Sequence, residues 1–591
     1  MASLPELPEL RQILLENGLK HYQETGMFRW EGRGFLNAER VELMWAALAA
    51  FEFADPDGPL AGDERARDAA TATLEAVSRE FEIPTGAVGP YFTLVPFTRA
   101  LVSLKPFVEA SWHRHQVERC EWLFAQAVAN IYRTHDYLNP RGLEVVSCLG
   151  LHHLTGDKQY LNRLHECLDQ LIIHHYPCGA QPYHTGNWVW GRRPAQVYQF
   201  LTASMMLQAA LELGRQDVID AVRRLADYAL MATNRRGEAL VTPFETLRKS
   251  KSLAAAGRQW AIAAALGDER FQGLVRTTYE KWALAALDLS ASTGNHRLLE
   301  KIGPFYLEAL TEALHMGVRE IPKGDRFVPS PGRHILPDIS TVFVHEPELD
   351  IAMTVLTGYS AFAEADCGNV KLYALTPEVT REPASHNAGT DALRADFRVP
   401  SEQIECTEKN GRVVLSGRVY IKLDAQSRPH LKRDCLRQFQ VTITYENSEM
   451  VLEYETKWAA HNEPVPARLL FLFIARPTSE APHLVIGNEV DINPPPADSG
   501  EAFLVQSKVS EVRFFAPDGS AIEVIPELSL AQSITAERPQ AVWFKAAEKG
   551  QKRPVRRNSK PANEGSLRLA FEGPKVLDRG RYRIRFRPVL S

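Results

Sequence analysis

The residues best suited to chemistry in this chain lie together in one short segment, residues 182–194. The segment contains a phenol, an imidazole, a carboxamide, two indoles and two guanidiniums, contributed by Tyr183, His184, Asn187, Trp188, Trp190, Arg192 and Arg193. A solvated connector is normally built from small and polar residues, because exposed indoles place apolar surface in water. An imidazole also titrates near neutrality, which suits proton transfer. We therefore expect this segment to bind a ligand.

The elements that position this segment are predicted to be helices. From about residue 6 to residue 317 apolar residues recur at intervals of three and four, which predicts about a dozen amphipathic helices. A weak repeat joins them, in which glycine ends one helix and a following acid caps the next, at residues 61–65, 155–158, 213–217 and 266–270. Stacked helical hairpins that curve round predict an α/α toroid whose inner helix ends line a groove.

The pattern changes at a proline-rich stretch that contains Pro322, Pro329, Pro331 and Pro337. Beyond it the apolar period falls to two, which predicts strands at 413–423, 439–445, 451–454, 469–474, 512–515, 522–525, 567–571 and 582–586. Many strands without intervening helices indicate an antiparallel sandwich. We predict a toroid over residues 1–320, a linker over 321–340 and a β-sandwich over 341–591.

Composition excludes several classes of protein. The 591 residues are 45% hydrophobic and carry a net charge of −5, which gives no general attraction for nucleic acid or an anionic membrane. No stretch approaches a membrane span, and acidic residues stand near the beginning where a secretory signal would be basic. The seven cysteines are scattered without a C-x-x-C pair, which predicts reduced thiols in a cytoplasmic protein. The sequence leaves the oligomeric state open.

A helical toroid followed by an antiparallel β-sandwich resembles the polysaccharide lyases of the chondroitin AC, hyaluronate lyase and heparinase II/III kind. Asn187, Trp188 and Trp190, with Pro194 nearby, are similar to a shortened form of the Asn-Trp-rich segment in such toroids. Those lyases also use a histidine and a tyrosine from a long toroid loop, although here all these residue types stand in one segment. The resemblance implies cleavage of acidic polysaccharides, such as glycosaminoglycans, by β-elimination.

The same resemblance implies a role for each residue type. Asn187 and the two loop arginines would neutralise the carboxylate of a uronic acid, so that His184 can remove the adjacent proton. Tyr183 or Tyr198 would return a proton to the leaving oxygen, and the two tryptophans would stack on sugar faces. No cofactor is predicted, and the sequence does not decide whether a divalent metal assists.

Each of these residues also has a structural interpretation. His184 would then hold the loop through a hydrogen bond, Asn187 would be a turn residue, and the tryptophans would fill space between hairpins. A second candidate pair, Asn295 and His296, is similar to the Asn-His pair of some alginate lyases, and it equally fits a joint between two helices. Two histidine pairs, at 152–153 and 174–175, are predicted to be core or capping residues rather than metal ligands, since no ligand spacing accompanies them.

Two other functions stay open. A glycoside hydrolase needs two carboxylates across a groove, and interhelical segments offer Asp136, Glu144 and Glu245. A non-catalytic glycan-binding protein would keep the aromatic segment without its titratable groups. The richest segment contains no carboxylate, so elimination from a uronate fits it better than hydrolysis by paired acids. The lack of an export signal favours oligosaccharides over intact polymer as substrates.

Overall fold

The computed structural model divides the chain into a helical unit, made of Met1–Gly186, Pro194–Ala239 and Ser250–Val328, and a strand unit whose longest continuous part is Pro329–Ser591. The described residues are 5–25, 38–79, 89–130, 137–182, 185, 194, 196–240, 249–291, 307–321, 325–339, 341–347, 349–354, 363–367, 370–374, 378–379, 402–409, 412–422, 436–458, 465–475, 483–486, 490–492, 504–507, 512–515, 521–526, 533–537, 543–544, 556–557, 566–576 and 579–589.

The described part of the helical unit contains twelve helices, in agreement with the predicted number. They are α1 (Leu7–Thr25), α2 (Ala38–Ala54), α3 (Glu64–Arg79), α4 (Gly89–Leu104), α5 (Ala110–Asn130), α6 (Leu138–Thr155), α7 (Lys158–Ile172), α8 (Gln196–Leu213), α9 (Gln216–Met231), α10 (Lys249–Leu266), α11 (Gln272–Ala291) and α12 (307–315). None of these helices is both long and apolar enough to cross a bilayer.

Successive helices alternate between two kinds of surface. In α6, 14 of 18 residues are buried, whereas α7 buries 5 of 15, all on one face. A helix buried on every side lies inside a fold, and a helix with one apolar stripe lies outside. Along the series α2, α4, α6 and α8 each helix packs against the next, so the even-numbered helices form an inner layer. The odd-numbered helices form the outer layer of an α/α toroid.

Small residues let neighbouring inner helices approach closely. A Cβ atom on Gly142 of α6 would lie 3.1 Å from the Cα of Thr202 in α8, and one on Gly150 would lie 2.5 Å from the Oγ1 of Thr98 in α4. Gly142 and Thr202 both lie near the amino ends of their helices, while Gly150 and Thr98 both lie past the middle. Adjacent inner helices therefore run parallel, as the alternation with outer helices requires.

The last inner helix meets the first one. The ring of His315, at the end of α12, packs edge to face on Phe51 of α2 with their centroids 5.1 Å apart. Arg319 lies over the same phenylalanine, 5.3 Å from its centroid, and its Nε lies 3.7 Å from Asp55. Since these contacts join the carboxyl ends of α2 and α12, they close the inner layer into a ring.

Tight turns leave the carboxyl ends of the inner helices. Gly62, Gly156, Gly214, Gly267 and Gly317 have φ values between 62° and 84°, the left-handed conformation predicted for helix stops. Asp63, Asp157 and Asp268 accept backbone N–H groups two residues on, which confirms them as caps. The fourth joint differs, because Arg215 occupies the capping position before α9 and Asp217 lies inside the first turn, where it pairs with that arginine.

The segment expected to be a linker, 321–340, contains the first strand. Its prolines flank β1 (Gly332–Leu336) instead of interrupting it, with Pro331 before the strand and Pro337 opening a 3-10 turn (Pro337–Ile339). This strand lies at the edge of its sheet, where proline is tolerated because fewer backbone N–H groups are needed for pairing. The prolines therefore lie where helices give way to strands, but the segment that contains them includes a strand and a 3-10 turn.

The strand unit is antiparallel throughout its described pairings. Its further strands are β2 (Thr341–His345), β3 (Leu349–Thr354), β4 (Ala363–Cys367), β5 (Val370–Ala374), β6 (Glu378–Val379), β7 (Glu402–Lys409), β8 (Arg412–Lys422), β9 (Leu436–Glu446), β10 (Glu449–Trp458), β11 (Val465–Ala475), β12 (His483–Ile486), β13 (Val490–Ile492), β14 (Leu504–Ser507), β15 (Val512–Phe515), β16 (Ala521–Pro526), β17 (Ser533–Glu537), β18 (Trp543–Phe544), β19 (Arg556–Arg557), β20 (Ser566–Val576) and β21 (Arg579–Val589). Seven of the eight strand segments predicted from the period of two lie wholly on strands of the structure. The eighth, 413–423, extends one residue beyond β8 and out of the described residues.

Two large sheets make up the sandwich. One has the order β1-β2-β3-β4-β5-β11-β20-β17-β14, and the other has the order β13-β12-β15-β16-β21-β10-β9-β8-β7. The turn between β9 and β10 consists of Asn447 and Ser448 with φ values of 51° and 60°, as a two-residue hairpin requires. In the second sheet Leu452, Val524 and Ile584 are buried on the face that forms the core.

Candidate functional site

The ends of the predicted ligand-binding segment are held together. Pro182 and Pro194 lie opposite each other as an antiparallel bridge, and Pro182 is buried. The backbone N–H of Gln181, itself fully buried, donates to the side-chain oxygen of Gln199 in α8 over 3.2 Å. Residues 183–193 therefore connect two fixed points at the amino end of an inner helix.

The chain that leads into this segment packs tightly on an outer helix. Gly179 has a φ of 91°, and a Cβ atom there would lie 2.0 Å from the carbonyl oxygen of Arg224 in α9. Its N–H donates to Tyr176 O, and the N–H of Tyr176 donates to Ala180 O. Glycine is required here both by the backbone conformation and by the close contact. The chain that precedes the segment is thus fixed against α8 and α9.

Of the predicted site residues the structure describes one, Tyr198. It lies in the first turn of α8, is partly buried, and its carbonyl accepts a hydrogen bond from the Oγ1 of Thr202 over 2.8 Å. Tyr183, His184, Asn187, Trp188, Trp190, Arg192, Arg193, Asn295 and His296 lie outside the described residues.

The topology brings the candidate segments to one end of the helical ring. Residues 183–193 join the amino end of α8, and Asn295 and His296 stand in the segment that joins the amino end of α12. Asp136 and Glu245 stand before α6 and α10 in the same way. Because the inner helices run parallel, all four of these amino ends lie at one end of the ring. The tight glycine turns lie at the opposite end.

Charged and polar side chains that the sequence analysis did not select are buried inside the ring. We call them the ring-core network: Arg99 of α4, Ser204 and Gln208 of α8, Arg258 of α10, and Glu308 and Glu312 of α12, with His315 beside them. The signal for it was present, since each charged member interrupts an otherwise apolar stretch of an inner helix.

The ring-core network crosses the ring through short polar contacts. Arg99 donates to Gln208 over 2.5 Å, and Ser204 donates to Glu312 over 2.6 Å. Arg258 forms an ion pair with Glu308, and its Nε lies 3.6 Å from Glu312. The network therefore connects four inner helices, α4, α8, α10 and α12. Candidate residues stand in the segments that precede three of these helices: 183–193 before α8, Glu245 before α10, and 295–296 before α12.

Burial dominates the protonation of this network. Removal from water raises the pKa of Glu312 and lowers that of Arg99, in each case against the attraction of the opposite charges nearby. The pKa of His315 is held well below its usual range by burial and by the neighbouring Arg99 and Arg319. His315 is therefore neutral in the folded protein at neutral pH.

One carboxylate considered for hydrolysis has a structural role. Glu144 is fully buried in α6 and accepts hydrogen bonds from Arg141 over 2.9 Å and from Arg163 over 2.7 Å. A carboxylate enclosed by two guanidiniums is not available to protonate a glycosidic oxygen in a groove. Asp136 and Glu245 lie outside the described residues, so they remain predictions.

The two histidine pairs lie at or just beyond the ends of helices α6 and α7, and His153 is exposed rather than part of the core. His152 Nδ1 lies 3.1 Å from the carbonyl oxygen of Asp157 at the end of α6, and His153 pairs with Glu212 of α8. Burial lowers the pKa of His174, and it lowers that of His175 to about 4. Among the described residues no cluster of histidine, cysteine and acidic side chains could hold a metal ion. Free thiols are found at Cys120, Cys148, Cys167, Cys178 and Cys367.

The fold defines a class of architecture, an α/α toroid followed by an antiparallel β-sandwich, and solved structures share it. A point mutant of the chondroitin AC lyase of Streptomyces coelicolor A3 matches with a TM-score of 0.50 and 12% identity, covering 98% of this chain and 80% of that chain. The same enzyme in complex with chondroitin sulphate matches with a TM-score of 0.49 and 11% identity, covering 98% of this chain and 80% of that chain. A heparinase III matches with a TM-score of 0.46 and 10% identity, covering 98% of this chain and 84% of that chain.

No family model and no curated protein sequence matches the chain. The chain thus has the polysaccharide lyase fold predicted from its sequence, and at this level of identity the likeness concerns the fold alone.

Proposed function

We propose that this protein is a carbohydrate-active enzyme that cleaves uronic-acid-containing glycans by β-elimination. The observation that supports this most directly is the arrangement of the helical ring. The aromatic and basic segment 183–193 and the segment of Asn295 and His296 both join amino ends of inner helices at one end of the ring. A groove at that end would meet imidazole, phenol, amide and guanidinium groups, which are the types that elimination from a uronate requires.

Each group has a separate task in the proposed reaction. The carboxamide of Asn187 and the guanidiniums of Arg192 and Arg193 stabilise the negative charge that develops on the uronate carboxylate. His184 then removes the proton next to that carboxylate, which is feasible near neutral pH. A phenol returns a proton to the departing glycosidic oxygen, and the C4–O bond breaks as the double bond forms. Trp188 and Trp190 hold the sugar rings.

Tyr198 is one of two candidates for the proton donor. It lies one turn into α8 and only a few residues beyond the bridge at Pro194, so it is fixed to a rigid element. Its position at the amino end of an inner helix places it on the same side of the ring as the candidate segments. Tyr183 belongs to the segment itself.

The experiment is a screen of uronate-containing glycans read by the ultraviolet absorbance of a 4,5-unsaturated product. We expect absorbance with the wild-type protein and a loss of roughly 100-fold or more in kcat for His184→Ala, the usual contribution of a general base. Replacing the true proton donor, Tyr183→Phe or Tyr198→Phe, should cause a similar loss.

Two variants serve as matched controls. Tyr160→Phe removes a phenol that donates to Glu121 over 2.9 Å between outer helices, and His115→Gln removes an exposed imidazole of α5. Neither should change turnover. Reducing sugar released without ultraviolet absorbance would replace the lyase by a hydrolase, with Asp136 and Glu245 as the next acids to test. Glycan binding without any turnover would indicate a binding protein.

A further inference from the structure

The chain that leads into segment 183–193 contains a histidine whose ring makes no hydrogen bond with the described residues. His175 lies three residues beyond the end of α7, and its backbone N–H donates to Ile172 O over 3.1 Å. Both nitrogens of its imidazole are buried from solvent, and neither has a hydrogen-bond partner among the residues that the structure describes. Native proteins leave few buried polar groups in this state, because each one costs free energy.

His175 is followed directly by a tight turn that packs on α9. We call residues 176–180 the docking turn. The N–H of Tyr176 donates to Ala180 O and the N–H of Gly179 donates to Tyr176 O, each over 2.8 Å. At Gly179 the turn meets α9 so closely that a Cβ atom would lie 2.0 Å from the carbonyl oxygen of Arg224. The docking turn therefore fixes the chain just before the candidate segment.

The surroundings of His175 oppose a positive charge on its ring. Arg224 of α9 repels an imidazolium at this position, and His174 does so from the same chain end. Among the groups that the structure describes, no carboxylate counteracts them. Burial has the largest effect, and together these causes lower the pKa of His175 to about 4.

We propose that His175 is a pH-sensitive switch, whose neutral ring lets the docking turn pack on α9 and whose protonation releases the turn. An imidazolium has two N–H donors, and in the docked position both would be buried without an acceptor, close to the charge of Arg224. Release relieves both costs, because water then bonds the two donors and the distance to Arg224 increases.

The direction of the pH effect follows from the two states of the turn. In the docked turn the pKa of His175 is about 4, whereas in the released turn the ring takes up a proton near its ordinary pKa of about 6.5. Docking is therefore most favourable above that pH and weakens as the pH falls from about 6.5 to about 4. Between pH 7 and pH 5 the ratio of docked to released turn should fall roughly twentyfold.

The test is amide hydrogen exchange of the full chain, measured by mass spectrometry on peptides that cover residues 174–182. Rates are divided by the intrinsic exchange rate at each pH. In the wild type, the amides of Tyr176 and Gly179 should lose protection roughly twentyfold between pH 7 and pH 5. His175→Phe keeps an aromatic ring that cannot be charged, so it should remove most of this fall. No substrate is present, so the result does not depend on the proposed reaction.

A second turn of the helical unit serves as an internal control. Residues 234–238 have the same pattern, in which the N–H of Asn234 donates to Glu238 O and the N–H of Gly237 donates to Asn234 O, each over 2.9 Å. This turn contains no histidine, so its protection should stay the same between pH 7 and pH 5. An equal fall in both turns would indicate general loosening of the helical unit and would overturn the proposal. Unchanged protection of the docking turn in the wild type would do so as well.

Two further variants separate His175 from its neighbours. Arg224→Gln removes a positive charge that lowers the pKa of His175, so the fall in protection should become smaller. His174→Phe removes the adjacent imidazole and should keep most of the fall. If His174→Phe abolishes the fall and His175→Phe does not, the switch is assigned to the wrong histidine and the proposal fails. Thermal unfolding at pH 7 reports whether each variant folds, and the comparison of the two wild-type turns decides the proposal if His175→Phe does not.

Discussion

The ring-core network and a set of exposed arginines in the second sheet use the same residue types in opposite settings. We call these arginines, Arg513 of β15 and Arg583, Arg585 and Arg587 of β21, the arginine row. In the helical unit Arg258 and Glu308 are at most 1% exposed, and two guanidiniums balance two carboxylates. In the strand unit the four arginines are 40% to 45% exposed, and their ion pairs with Glu449, Glu453 and Glu523 lie at the surface of the sheet. Buried charges can interact only with one another, whereas a charged side chain at the surface can exchange its partner in the protein for water or an ion in solution.

The comparison shows why a count of ion pairs says little about a protein. Burying an ion pair costs desolvation energy that the attraction between its charges barely offsets. Removing one partner of such a pair is nevertheless strongly destabilising, because the other charge is then buried alone. Exposed pairs contribute little to folding and are replaced easily. We therefore expect the ring-core network to determine the stability of the toroid and the arginine row to contribute little to the stability of the strand unit.

The largest expected effect comes from breaking the buried pair. Arg258→Met leaves Glu308 and Glu312 without their guanidinium in a fully buried site, and it should lower the free energy of unfolding by about 3–5 kcal/mol. Denaturation in urea, followed by circular dichroism at the helical band, measures this loss.

The matched control for that variant is Arg270→Met, which removes an exposed arginine from two surface ion pairs and should cost less than about 1 kcal/mol. Adding Glu308→Met to Arg258→Met should restore part of the loss, because it removes one of the unpaired buried charges. Equal losses for Arg258→Met and Arg270→Met would show that burial does not separate the two settings.

A smaller effect should follow from pH. His315 has a depressed pKa when folded, so it is neutral in the native state while the unfolded chain takes up a proton near its usual pKa of about 6.5. Its contribution to stability is therefore present above that pH and is lost as the pH falls below it. His315→Phe, which can keep the ring contact with Phe51, should flatten the decline.

Urea midpoints between pH 7 and pH 5 test this directly. The slope of the free energy of unfolding against pH should differ between the wild type and His315→Phe by up to about 1.4 kcal/mol per pH unit, the value for one proton. The control His115→Gln removes an exposed imidazole of α5 and should leave the pH profile unchanged. Identical slopes for His315→Phe and the wild type would show that this histidine protonates freely in the folded state.

The smallest effect on stability is expected at the arginine row. Glu449→Gln breaks contacts of 2.8 Å and 3.6 Å to exposed arginines and should change the free energy of unfolding by less than about 1 kcal/mol. Thermal unfolding at low and high salt measures it, and added salt should shrink even that difference. A loss as large as that of Arg258→Met would place the row among the structural ion pairs.

Much of the fold could be predicted from the sequence because its signals are local. The change in period separated helices from strands, and the Gly-Asp joints predicted turns whose glycines do have positive φ. The prediction for the joint before α9 was wrong in detail, because Asp217 lies inside the helix and pairs with Arg215 instead of capping the helix. Either position puts an acid near a helix amino end, and the sequence does not distinguish them.

The candidate site was less predictable, because it depends on which distant segments meet. Residue types alone selected 183–193, yet they did not show that this segment and that of His296 join the same end of the ring. Glu144 was equally ambiguous until Arg163, nineteen residues away, proved to bond it. Arg99 and Arg258 were overlooked since an arginine in an apolar helix is usually on its solvent side, and only the ring places them inside.

The parallel inner helices have an electrostatic consequence for the end of the ring that carries the candidate segments. Every helix has a dipole that leaves about half a positive charge at its amino end, and in this unit the amino ends of the inner helices lie together at one end of the ring. The outer helices point the other way but lie further from the axis, so they cancel this field only in part. The backbone alone therefore makes this end of the ring attract anions, and it makes the opposite end repel them.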